Sequence, residues 1–136
     1  MKRSKPSKPY MRITPKGLTF NAACMRLMPD VSYVQFLHNF KHGHLYALEC
    51  GAYDEDNAPW RLNCRSREVY AKYVKWDRFY KFICDKMDWI HGNEYTIPAS
   101  LKEFTEKRAI FFNLNENKEE SPFLNLKLSD LYLVEQ

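Results

Sequence analysis

The strand-like run Tyr33-Val34-Gln35-Phe36-Leu37-His38, the turn Lys41-His42-Gly43-His44 and the return Leu45-Tyr46-Ala47-Leu48-Glu49-Cys50 decide the fold. Aromatic and β-branched side chains favour extended backbone, and a glycine in a short polar turn lets the chain reverse, so this stretch reads as a β-hairpin. A hairpin with one solvated face alternates apolar with polar residues. Here apolar residues occupy both parities, so the hairpin is expected to be covered on both sides, at least in part.

Working toward the N-terminus, Asn21 stands where a helix N-cap belongs, ahead of Ala22 to Met28, and Pro29 blocks continuation. Ile13 and Leu18-Thr19-Phe20 read as short extended pieces around the turn Pro15-Lys16-Gly17. Met1 to about Met11 is rich in Lys, Ser and Pro and reads as a flexible arm.

Toward the C-terminus, Gly51 to Pro59 is a polar loop and Glu68 to Val74 a weakly alternating strand. Trp76, Phe79, Tyr80, Ile83 and Met87 then recur at helical spacing and define one buried face. Asp77 lies in the first turn of that helix, and Gly92 is its expected stop. Tyr95-Thr96-Ile97 opens a second hairpin that returns through Ala109 to Leu114. Pro98 cannot donate to a ladder, which predicts an edge or a bulge there. Leu124, Leu126 and Leu128 alternate as a half-buried strand, extended through Leu131 to Val134.

The fold class expected from this order is α+β, a mostly antiparallel sheet with two helices on one face. The order strand–helix–strand–strand occurs twice, over Leu18 to Cys50 and Val69 to Leu114. The expected organisation is an arm over 1–11 and a single domain over 12–136. With 136 residues, 45% of them hydrophobic and 15% aromatic, the chain can build one core. No apolar run is long enough to span a membrane, and no apolar stretch follows the charged N-terminus. Cys24, Cys50, Cys64 and Cys84 form no C-x-x-C pair and read as reduced thiols, which points to the cytoplasm.

The net charge of +4 is unevenly distributed. Lys2, Arg3, Lys5, Lys8, Arg12 and Lys16 precede any acidic residue. A second basic stretch holds Arg61, Arg65, Arg67, Lys72, Lys75, Arg78 and Lys81, while Glu49, Asp54, Glu55 and Asp56 form an acidic patch between the two. This asymmetry suggests a side that faces a polyanion.

No catalytic or metal-binding constellation is legible. Of His42, His44, Cys50 and Cys64, only His42 and His44 form a close pair, where a structural zinc site uses two. Asp54-Glu55-Asp56-Asn57 lacks the central glycine and terminal glutamate of a calcium loop. Cys24 and Cys84 sit among apolar neighbours and in no nucleophile motif. No glycine-rich phosphate loop is present, so no cofactor is expected.

The stretch Gly17-Leu18-Thr19-Phe20-Asn21-Ala22-Ala23-Cys24, with Tyr33-Val34-Gln35-Phe36-Leu37 and Ala47-Leu48-Glu49-Cys50, resembles the opening of a loose family of small, largely uncharacterised proteins. Those proteins are carried by phages and integrative mobile elements of clostridial-type bacteria. Ala58-Pro59-Trp60-Arg61, an aromatic helix ending near Asp88-Trp89, and Ile110-Phe111-Phe112-Asn113-Leu114 are similar to that family in layout. Val74-Lys75-Trp76 departs from its usual Ser-Ala-Ser lead into the helix. The resemblance implies an origin in a mobile element of a bacterial host and implies no activity.

The expected function is non-enzymatic nucleic-acid binding, in an accessory or regulatory role, through the thirteen basic residues named above. The alternative is a protein-binding inhibitor, such as an anti-CRISPR or other anti-defence factor. Its partner would be a host nuclease or a nuclease–nucleic acid complex.

Overall fold

A computed structural model describes residues 8–61, 71–115 and 126–134. Its elements are β1 (Tyr10–Thr14), β2 (Gly17–Phe20), α1 (Ala22–Met25), β3 (Tyr33–Asn39), β4 (His44–Cys50), β5 (Ala58–Pro59), β6 (Lys72–Lys75), α2 (Asp77–Met87), β7 (Tyr95–Glu103) and β8 (Arg108–Asn113). A 3₁₀ turn at Leu128–Asp130 and the short β9 (Tyr132–Leu133) follow. The fold is dominated by one antiparallel sheet with two helices. Its strand order is β5-β3-β4-β8-β7-β1-β2-β6, with β9 pairing β3.

The order strand–helix–strand–strand is present twice, as β2-α1-β3-β4 and β6-α2-β7-β8. The last strands of the two units pair at the centre of the sheet, β4 with β8. The first strands pair at one margin, β2 with β6. β1 lies between β7 and β2 and joins the two regions.

The sheet curls strongly. Phe20 on β2 and Phe36 on β3 are five strands apart in the sheet order, which in a flat sheet is roughly 24 Å. Their ring centroids lie 6.1 Å apart. The concave side therefore closes on itself. Met11, Ile13, Leu18, Phe20, Phe36 and Phe112 are among the side chains that fill it, all fully buried. Both helices lie on this side. Cys24 and Met25 of α1 and Phe79 and Ile83 of α2 belong to the same apolar cluster. Phe82 reaches Phe40 at 5.5 Å, so α2 spans from β2 toward the end of β3. Of its expected face, Phe79, Tyr80 and Ile83 are buried, while Trp76 and Met87 are half-buried against the core.

Local chemistry accounts for the element ends. Asn21 Oδ1 accepts from the Cys24 amide at 2.9 Å and from the Tyr10 amide at 3.0 Å, so one cap starts α1 and fixes β1. α1 itself is a single turn of four residues, shorter than the two turns expected. The helix α2 ends at Met87 because Asp88 takes a left-handed conformation (φ 56°), not because of Gly92 further on.

Pro98 marks a local edge of β7 and no bulge. The first half of β7 pairs β1 and its second half pairs β8, and Pro98 is the last residue on β1. Ala99 donates to the Pro9 carbonyl at 3.1 Å, so the missing amide of Pro98 faces the side where pairing with β8 has not begun.

Both faces of the central hairpin are covered, as its parity demands. Val34, Phe36, Leu45 and Ala47 join the main core, and Tyr46, Leu48, Ala109 and Phe111 form a second cluster on the convex side. Leu128 and Leu131 cap that second cluster. The expected alternating strand over Leu124 to Leu128 is not what does this. Leu128 begins a 3₁₀ turn, and Leu124 lies outside the described residues. Strand β1 begins at Tyr10 with Met11 fully buried, so the folded region reaches into the stretch read as arm.

Candidate nucleic-acid interface

The convex face of β7, β1, β2 and β6 is built by simple alternation. In β1, Met11 and Ile13 point into the core, which sends Tyr10, Arg12 and Thr14 outward. Cross-strand partners share a face. The pairs Arg12↔Thr96, Arg12↔Thr19 and Thr19↔Tyr73 therefore make one outward row across four strands, Thr96-Arg12-Thr19-Tyr73. Lys75 lies opposite Gly17 on the same face. Lys16 occupies the two-residue β1–β2 turn, and Lys8 precedes β1 with its carbonyl accepting from Asn21 Nδ2 at 2.8 Å. Lys8, Arg12, Lys16 and Lys75 are all exposed.

Glu94 is the acid that meets this group, and it pairs with Arg12. Tyr73 is 55% exposed, and its hydroxyl donates to the Lys16 carbonyl at 3.3 Å. The ring thus runs along the sheet past Gly17. At Gly17 the backbones of β2 and β6 approach so closely that an added Cβ would stand 2.0 Å from the Val74 carbonyl oxygen.

Of the other expected cations, Arg61, Lys72, Arg78 and Lys81 are not part of this group. Arg61 donates to the Pro29 carbonyl and is half-buried. Lys72 is paired with Phe20, which places it toward the concave side. Arg78 and Lys81 lie on the exposed face of α2, interleaved with exposed Asp77 and Asp85, on the far side of the core from the convex face. Lys2, Arg3, Lys5, Arg65 and Arg67 lie outside the described residues.

One polar cluster escaped the sequence reading. Arg108 donates to both Asp30 carboxylate oxygens, at 2.8 and 3.2 Å, and through Nε to Glu49 at 2.9 Å. These bonds hold the Asp30 carboxyl below its usual range and raise the Arg108 guanidinium. The cluster borders an open cleft of about 550 Å³ that Cys50 and Lys107 also line. Its members are 59 and 78 positions apart in the chain, so no local pattern announces it.

Among the described residues, no three His, Cys, Asp or Glu side chains come together as a metal site. The His42 and His44 rings are 6.1 Å apart, and His44 Nδ1 is bonded to the Tyr46 hydroxyl at 3.2 Å. Cys24, Cys50 and Cys84 are free thiols, and Cys64 lies outside the described residues. Burial pushes the Cys24 thiol up to about 12 and raises Cys50 and Cys84 as well, the opposite of an activated nucleophile. No helix among the described residues is long and apolar enough to cross a membrane. No protein-family model, curated protein or solved structure matches the chain.

Proposed function

We propose that this chain is a non-enzymatic nucleic-acid-binding protein, in an accessory or regulatory role for a mobile element, and that it binds through the convex face of β1, β2 and β6. The observation that carries the reading is the strand register. It brings Arg12 and Lys75 to the face of the exposed Tyr73, with the carbonyl of Lys16 in the adjoining turn bonded to the Tyr73 hydroxyl, where Glu94 is in contact with Arg12. Cations anchored on a sheet suit a sugar–phosphate backbone, because the strands fix the spacing of their backbone positions before binding.

A salt titration of oligonucleotide binding tests this. Each phosphate neutralised contributes a slope of about −0.7 on a single strand and about −0.9 on duplex DNA. The triple variant Arg12→Ala, Lys16→Ala, Lys75→Ala should make the slope shallower by about two units on a single strand. Glu94→Gln frees Arg12 and should tighten binding, whereas Arg78→Ala with Lys81→Ala should leave it unchanged. Removal of residues 1–7 measures the share of Lys2, Arg3 and Lys5 without cutting into β1. Absence of binding by the full chain at low salt would overturn this reading in favour of the protein-inhibitor one.

A further inference from the structure

Resting on that reading, we infer that the ligand is single-stranded nucleic acid, held by stacking of an unpaired base on the Tyr73 ring. A surface tyrosine ordinarily samples several rotamers, and a ligand must then immobilise it. Tyr73 is tethered at both ends, by its backbone in β6 and by the hydroxyl bond to the Lys16 carbonyl. More than half of the residue nevertheless stays open to solvent. This is a preorganised aromatic surface.

The surroundings select the class of ligand. Lys75 is two residues along the same strand face, and Lys16 stands at the hydroxyl end of the ring. Arg12 lies in the same row, two strands away, or roughly 10 Å. A base on the ring therefore has cations on several sides for its flanking phosphates. In a duplex the base faces are already stacked on one another, and a side chain lying along a sheet cannot reach them. Unpaired bases offer their faces freely, and every base has one. The contact should consequently tolerate any sequence.

The experiment compares a labelled oligothymidylate with a duplex of equal length by fluorescence anisotropy. The full chain should prefer the single strand. Tyr73→Ala should weaken single-strand binding by roughly fivefold to 150-fold while leaving the salt slope unchanged, because stacking releases no counterions. Tyr73→Trp keeps an aromatic face and should hold most of the affinity. Tyr73→Phe should fall between Tyr73→Trp and Tyr73→Ala, since it stacks but loses its tether. The Trp and Phe variants keep the test decisive if the Ala variant does not fold. Preference for duplex, or single-strand binding indifferent to Tyr73→Ala, overturns the stacking inference and leaves the broader function standing. No binding to either probe overturns both.

Discussion

The two halves of the sheet share one concave core and differ on their convex side. Over β3, β4 and β8 that side is apolar, with Leu37, Tyr46, Leu48 and Phe111 sealed by Leu128 and Leu131. Over β1, β2 and β6 it carries Arg12, Thr19, Tyr73 and Lys75. The sequence of each half explains the difference. RAIFFN in β8 and HLYALEC in β4 are apolar at both parities, so water must be excluded from both faces. YMRIT in β1 and KYVK in β6 alternate, so one face is enough. The lesson is that alternation within a short strand, rather than overall charge, marks which surface this protein leaves open to solvent.

The largest expected effect contrasts the two convex faces directly. Phe111→Ala should destabilise the fold by about 3–5 kcal/mol, through lost burial and the cavity left behind. Thr19→Ala, half-buried on the convex face of the other half, should cost about 1 kcal/mol or less. Urea unfolding of both variants measures the gap, and equal destabilisation would erase the distinction between the halves. Next in size is Gly17→Ala. The new methyl group collides with the Val74 carbonyl rather than with a movable side chain, so β2 and β6 must separate. A loss on the order of 2 kcal/mol is expected, with weakened oligonucleotide binding because Tyr73 and Lys75 shift with β6.

A smaller effect, in pH, belongs to the covered half. His38 stacks on Phe40 at 4.3 Å, with Phe82 and Tyr132 also against it, and its Nδ1 has no hydrogen-bond partner. Burial among these rings, and secondarily the Lys86 charge, lower its pKa below 6.5. The unfolded chain therefore takes up a proton first as the pH falls. The stability conferred by neutral His38 is full above about pH 6.5 and is lost as the pH drops from there through the lower folded-state value. Unfolding free energies between pH 8 and pH 5 should decline more steeply for the natural chain than for His38→Phe. Parallel profiles would show that His38 titrates as freely folded as unfolded. The pH effect should register in β9, which pairs with β3 at His38↔Tyr132.

Much of this arrangement was legible in the chain. The double parity of Tyr33 to Cys50 announced a strand pair covered on both sides, and the spacing of Phe79, Tyr80 and Ile83 announced the buried face of α2. Asn21 was readable as a cap because its side-chain chemistry is local. What the sequence could not convey was register between distant strands. Lys16 and Lys75 are brought to one face by the pairing of β2 with β6, and Arg12 joins them through β1. Lys72 belongs to the same basic stretch yet points toward the concave side, since one residue of register inverts a side chain. The C-terminal leucines misled for a related reason. Leu128 and Leu131 are three apart, the repeat of a 3₁₀ turn, and the alternation with Leu124 and Leu126 concealed it.

The central claim is that the bare half of the sheet is the binding face, and a residue-resolved map tests it most directly. Backbone amide chemical shifts would be followed by NMR while oligothymidylate is titrated into the labelled full chain. The account predicts perturbations concentrated at Arg12, Thr19, Tyr73 and Lys75, with Leu37, Tyr46 and Phe111 unmoved. Perturbations centred on the covered face, or on Arg78 and Lys81 of α2, would contradict it.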